Sequence, residues 1–401
     1  MMSIFVLEAI RIPRGKGNAK GALHHVKPVD LLKNLFDEMR NRTAIDPSRV
    51  DEVILGCVGQ LNDQGGNIAH TAALYSDWQT RGSGTTLTSY CTSGITACSM
   101  AAAKLLSGQG ELYVVGGVES MSRVPILSDN GPLFTDPDVS SKVPFVPNGV
   151  IADFIAARQG YSREDLDAYA SASHNKAAVA TENGYFKRSL VPVRDARGEI
   201  LLSDDELIRP GSSIQSMAKL SPSFENIGAE GFDDMLCKQF PEVSHIPHHH
   251  HAGNSPGMVD GASLALLATR EMASNLGIPA RAEIIGFSTK RAAAIEGLTG
   301  GYAAAEDVLK RTGLNGTDID LWEFNEGFAA TAMNFAQQLH VPPDRYNVNG
   351  SGIAMGHAMG ATGVNILSMM IDELERRKMR TGLIAISGAA GAGAAMIVRI
   401  Y

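Results

Sequence analysis

Three short stretches hold residues whose types suit nucleophilic chemistry at a carbonyl. In SYCTSGITACSMAAAKLL, Cys91 heads a small-residue run that reads as a helix. A thiol reacts as thiolate, from a free pKa near ~8.5, and a helix N-terminus lowers that value through its dipole and unpaired N–H groups. The same N–H groups can hold the oxyanion formed when a carbonyl is attacked. Taken alone, a cysteine is as readily a small buried residue, and Cys98, two turns on, is read that way. NVNGSGIAMGHAMGATG surrounds His357 with glycines, which permit close approach of a substrate to an imidazole able to act as base or donor near neutral pH. It is neither a phosphate-binding loop nor a dinucleotide fingerprint. EFNEGFAA delivers Asn325 and Glu326 at a strand end, an amide to orient a water or carbonyl and a carboxylate to orient its neighbours; an Asx turn ahead of a helix is the plainer reading of the same residues.

These residues need a scaffold that brings distant segments together. SIFVLEAIR reads as a strand, PVDLLKNLFDEMRNR as an amphipathic helix and DPSRVDEVILGCVGQ as turn and strand, with GELYVVGGVESMS as a further strand. The second half repeats the order in RAEIIGFST, AAAEDVLKRTGL and NGTDIDLWEFNEGF, then GATGVNILSMMIDELERR and a Gly-rich pair of closing strands. This repetition predicts a duplication, and the alternation predicts βαβ units with a mainly parallel sheet. Between the halves the texture changes to Pro/Ser/Asp-rich loops, with a helix beginning at YSREDLDAYA where Ser162 and Asp165 approximate a capping box. DGASLALLATR reads as a late strand closing the first half. The predicted domains are 1–119 plus 248–272, an inserted loop domain at 120–247, and 273–401.

Composition narrows the classes. Hydrophobic residues are 44% and charged residues 19% of 401, a core-rich globular balance. The net charge of −8, from 43 acids and 35 bases, disfavours nucleic acid and anionic membrane as partners. The four cysteines form no CxxC pair, which argues against a zinc ribbon or a disulfide framework and for a reducing, cytoplasmic setting. MMSIFVLEAIRIPRGKG reads as a strand rather than a signal peptide, no run of 18 apolar residues suggests a membrane span, and VRIY is not a peroxisomal tripeptide. Four adjacent histidines, His248 to His251, suggest a metal, but neighbours on one loop rarely close a site; no metal is expected.

Taken together in this order and spacing, CTSG, GGVESMSR, NEGF, GHAMGATG and the Gly-rich closing strand resemble the thiolase family of CoA-dependent acyltransferases. LHHVKP, YSREDLDAYA, MAKLSPSF and AGNSPGMVDGA resemble its bacterial fatty-acid β-oxidation branch. The resemblance implies duplicated βαβαβαββ halves in a layered α/β arrangement, and 3-ketoacyl-CoA thiolase activity in either direction through an acyl-Cys91 intermediate. It gives His357 the activation of Cys91 and a share in holding the thioester oxygen, and Asn325 the positioning of a water. It implies CoA contacts at Arg209, Ser216, Ser255 and Phe328, no covalently bound cofactor, acyl-CoA and CoA as substrates, a homodimer or homotetramer, and a multifunctional β-oxidation subunit as partner.

Several positions depart from the family pattern. Its second catalytic cysteine aligns with Ser387, a far poorer acid/base than a thiol at neutral pH. The glycine whose N–H forms a second oxyanion hole is Ala389, and a backbone N–H survives that change. Gly327, Ala358, Pro256 and His251 also replace usual residues. His251 is read as a surface histidine, with a replacement base as the sharper alternative. Two rivals to thiolase activity therefore stand: an acyltransferase or thioester hydrolase working without the second cysteine, and a non-catalytic CoA-binding subunit.

Overall fold

Alternate residues of β1 (Ile4–Arg11) enter different cores: Phe5 and Leu7 pack on one face, Ile4 and Val6 on the other. The strand is buried on both faces, so its sequence is an almost unbroken apolar run. The structure, a computed structural model, describes residues 3–401; Met1 and Met2, part of the N-terminal stretch read as a strand, lie outside the described residues.

After β1 come the short β2 (Gly15–Lys16), then β3 (Glu52–Gly56), β4 (Thr85–Leu87) and β5 (Leu112–Ser120). The inserted segment carries the hairpin β6 (Val193–Arg194) and β7 (Ile200–Leu202). β8 (Val259–Thr269) closes the first half, and β9 (Ala282–Arg291), β10 (Leu321–Phe324), β11 (Thr381–Ser387) and β12 (Ala392–Arg399) form the second. The main sheet runs β10-β11-β12-β9-β1-β8-β5-β3-β4.

That order contains the duplication. β3-β5-β8-β1 in the first half and β10-β11-β12-β9 in the second have the same sequence of pairings: one parallel, then two antiparallel. The echo extends to single side chains. Asp51 accepts N–H bonds from Glu111 and Leu112 at the start of β5, and Asp320 accepts them from Arg380 and Thr381 at the start of β11. The halves join where β1 pairs β9, from Ile4↔Ile284 to Val6↔Ala282. The expectation of a mainly parallel sheet is corrected. Among the strand pairings of the described residues, β3-β4, β3-β5 and β10-β11 are parallel and the rest antiparallel, because each half's last strand returns beside its first.

Five layers follow from which face each strand buries. Helices Pro28–Thr43 and Ile68–Tyr75 cover the outer face of the first half, and Gly300–Thr312 and Ala329–Gln338 that of the second. Between the inner faces lie Ser93–Leu106 and Met359–Arg377, packed with Ile54, Val115, Ile384 and Met396. Met359–Arg377 is buried continuously from Met359 to Leu374, as a helix enclosed between the inner faces of the two halves of the sheet must be. The segment between β5 and β8 holds the helix Arg163–Glu182, opened by the expected Ser162/Asp165 capping box. Its neighbour Asn148–Gln159 begins at the end of the Pro/Ser/Asp-rich loop and is a helix that the sequence reading did not place, buried from Gly149 to Ala156. No helix among the described residues is long and apolar enough to cross a membrane.

Candidate active site

Cys91 sits on a tight turn just ahead of Ser93–Leu106, two residues before the first helical residue. Tyr90 takes a left-handed conformation (φ 52°), unfavourable for a bulky residue. Side chains hold the turn: Ser93 Oγ donates to the Tyr90 carbonyl (2.5 Å) and accepts from Ser89 N–H (2.9 Å). Cys91 lines an apolar cavity of about 210 Å³, walled by Val58, Val124, Ile126, Leu127, Phe134 and Met359, with the Ala389 N–H at the sulfur. Burial, helped by the charge of Glu119, pushes the Cys91 thiol up to about 12, against the opposing N–H groups of Cys91 and Ala389. The expected lowering by the helix N-terminus is therefore corrected. In the free protein, desolvation outweighs two oriented N–H groups.

His357 arrives from the second half. It lies two residues before Met359–Arg377, as Cys91 lies two residues before Ser93–Leu106. Its Nδ1 meets Thr362 Oγ1 at 2.8 Å and the side-chain nitrogen of Asn325 at 3.4 Å. Its Nε2, and Asn325 Oδ1, are buried polar atoms without a hydrogen-bond partner among the described residues. Burial, with the nearby charge of Arg14, lowers the imidazole to about 4 and keeps it neutral. Asn325 follows β10 directly, as read from EFNEGF, its N–H bonded to the Ala385 carbonyl. Glu326 turns away from the pair and accepts from Tyr169, Ser173 and the Ile353 N–H, fixing the loop that carries Asn325.

The two halves approach because glycines let backbones touch. A Cβ on Gly363 would stand 2.3 Å from Ile95 N, and one on Gly94 would stand 2.8 Å from Gly363 N. Crossing here brings the leading ends of the two central helices together. The link is reinforced by Glu119 at the end of β5. It accepts from Val58 and Gly59 in the cavity wall and from Gly360 beside His357.

The remaining predicted residues divide. Ala389 shares the cavity wall with Cys91. Ser387, on the same segment, is buried with its Oγ accepting the Gly301 N–H at 2.9 Å; it does not line the cavity. Arg209 and Ser216 are exposed on the inserted segment, and Ser216 caps a short helical turn with Ser213. Ser255 is buried, its Oγ unpartnered among the described residues. Phe328 packs edge-on against His250 and Phe224.

Both readings of His251 are corrected. It is fully buried rather than on the surface, and it is no free base. Its Nε2 meets Asp167 at 2.8 Å and its Nδ1 accepts the Gly253 N–H at 2.9 Å. The rest of the histidine run wraps a second buried carboxylate. Asp153 bonds the rings of His248 and His250 and the N–H groups of His249 and His250. The run is a structural seam between inserted helices and the second half, where His250 Nε2 accepts the Ala330 N–H.

Sequence reasoning missed Glu119, although it stands inside GGVESMSR; a glutamate in an otherwise apolar buried strand was the available signal. It also missed Arg14 and Asp205, which bond each other across 191 positions of the chain.

A cysteine on a tight turn with N–H groups at its sulfur, and a neutral His–Asn pair carried by the other of two duplicated halves, mark a layered α/β protein whose groups suit nucleophilic chemistry at a carbonyl. The comparisons agree. Residues 4–230 match the model of the thiolase N-terminal domain and residues 278–400 that of the thiolase C-terminal domain. A protein named 3-ketoacyl-CoA thiolase from Aliivibrio fischeri is 31% identical over 412 residues, covering 99% of each chain. One of the same name from Serratia proteamaculans is 32% identical with the same coverage. The crystal structure of the Bacillus anthracis acetyl-CoA acetyltransferase superposes with a TM-score of 0.85 at 30% identity, covering 100% of this chain and 99% of the other. The chain belongs to the thiolase family.

Proposed function

We propose that this chain is an acyl-CoA acyltransferase that works through an acyl-Cys91 intermediate. The single observation that carries the reading is a cavity-lining cysteine whose sulfur accepts the Ala389 N–H, in a fold that also buries His357 Nε2 and Asn325 Oδ1 without a hydrogen-bond partner among the described residues. Cys91 Sγ attacks a thioester carbonyl. The new sulfur–carbon bond forms as the carbon–sulfur bond to CoA breaks, and the Cys91 proton passes by way of His357 to the departing CoA sulfur. Asn325 holds a water, which with His357 supports the thioester oxygen; the Cys91 and Ala389 N–H groups face the developing oxyanion. CoA is a substrate and meets the exposed Arg209 and Ser216 on the covering segment 120–247, with Ser255 and Phe328 deeper in. The two halves are 1–119 plus 248–272 and 273–401, in a cytoplasmic homodimer or homotetramer that can join a multifunctional β-oxidation subunit.

Cleavage of a 3-ketoacyl-CoA makes a second demand. When Cys91 attacks the ketone, the carbon–carbon bond breaks and the departing acetyl-CoA enolate must gain a proton. Loss of a matched acid/base costs about 10²–10⁴-fold. The Ser387 hydroxyl is both a poor acid and already engaged by Gly301, which favours a second reading in which acyl transfer persists while carbon–carbon cleavage is slow.

The test has two parts. Incubation with an acyl-CoA should add one acyl mass to the intact chain, and Cys91→Ala should abolish it; an unmodified wild type would defeat the proposal. CoA-dependent cleavage of 3-ketoacyl-CoAs should then be slow and rise in Ser387→Cys. Fast wild-type cleavage with no gain in the variant would refute the reading of Ser387.

A further inference from the structure

Arg14 is a buried cation beside the active site that the reaction scheme does not use. It lies in RIPRGKG, between β1 and β2, and is 1% exposed. Its Nη1 donates to the Gly356 carbonyl at 2.9 Å, one residue before His357. Its other terminal nitrogen meets the thioethers of Met355 and Met369 at 3.5 and 3.4 Å. Its N–H donates to Asp205 Oδ1 at 2.8 Å, and its Nε lies 3.4 Å from the same oxygen. Asp205 is also bound by two nitrogens of Arg11, at 2.9 and 3.0 Å.

These contacts tie three segments into one unit. Asp205 belongs to the inserted segment, four residues before Arg209. Leu207, between them, packs so closely that a Cβ on Gly257 would stand 2.4 Å from its Cδ1. The Gly257 carbonyl accepts the His357 N–H at 3.0 Å. The turn holding His357 is therefore clamped from one side by Arg14 and from the other by the loop that Asp205 docks.

We propose that Arg14 is a positioning residue for His357, fixing the Gly356–His357 turn through the Gly356 carbonyl and holding a buried positive charge close to the imidazole. Its place in the reaction rests on the function proposed for His357. The charged groups around this turn are Arg14 from the β1–β2 connection, Asp205 from the inserted segment with its partner Arg11 from β1, Glu119 from the end of β5, bonded to the Gly360 N–H, and Glu323 from β10. Arg14 acts on the imidazole directly: its charge lowers His357, second only to burial. A neutral imidazole leaves one ring nitrogen with a free lone pair to accept a proton, whereas an imidazolium has none.

The experiment follows the His357 ring by NMR in histidine-labelled full-length protein, assigned with His357→Asn, alongside the acid limb of acyl-Cys91 formation. In the wild type the ring should stay neutral from pH 8 down to pH 5. In Arg14→Gln its midpoint should rise by about one pH unit or more, the size expected on removing a like charge at close range. Arg14→Lys should restore most of the depression, because it keeps the charge. Asp205 retains Arg11 in both variants and is not left unpaired. A wild-type midpoint at or above the ordinary value near ~6.5 overturns the proposal, and that measurement needs no variant to fold. So does an unchanged midpoint in folded Arg14→Gln. A moved midpoint with an unmoved acylation limb supports Arg14's effect on His357 and refutes the part given to His357 in acylation.

Discussion

Gly363→Ala tests whether the crossing of the two central helices sets the active-site geometry. The added Cβ would stand 2.3 Å from Ile95 N, 2.5 Å from Gly94 C and 2.8 Å from Gly94 Cα. Comfortable carbon contacts begin near ~3.5 Å, so the helices must part by about 1 Å. Each of these neighbours is backbone, so no side chain can swing aside. Overpacking of this kind costs about 1–3 kcal/mol, which in a chain of this length lowers the melting temperature by a few degrees. Cys91 and His357 ride on opposite members of the pair. A displacement of about 1 Å between reacting groups costs about 10²-fold in rate. Differential scanning calorimetry and the rate of acyl-Cys91 formation, read together, should show a modest stability loss with a disproportionate fall in acylation. Gly316→Ala is the control: its Cβ would meet only Trp322 Cζ2, at 3.7 Å, and should leave both quantities unchanged. Wild-type acylation in a normally stable Gly363→Ala protein would show that the glycine contact does not fix the site.

Two further predictions concern buried polar groups. Asp153→Ala removes the acceptor shared by two imidazoles and two backbone N–H groups and should destabilise the protein by about 3–5 kcal/mol, measured by urea unfolding, with no rescue by added zinc. His357 is depressed to about 4 in the folded state, so the unfolded chain takes up its proton first as pH falls. This contribution is complete above pH ~6.5 and declines towards pH ~4, about 3 kcal/mol in all; urea unfolding across that window should show a shallower slope in His357→Asn, and an equal slope would refute the burial argument.

The sequence by itself determined the two halves, the late strand that closes the first, the Ser162 capping box and the strand end that carries Asn325. These are local matters of period, capping and turn chemistry, and they are written where they act. Residue type, spacing and family motifs single out Cys91, His357 and Asn325. The tertiary structure alone decided the charge states and several roles. A helix N-terminus ahead of Cys91 reads as activating, yet the apolar wall assembled from residues 58–134 and the charge of Glu119 raise the free thiol instead. His251 reads as a surface group, yet it is enclosed with Asp167, 84 positions earlier. Arg14 reads as one more basic residue after a strand, yet it lies under the His357 turn, 342 positions away. Burial and coupling depend on which segments meet across the fold, and a linear pattern records neither.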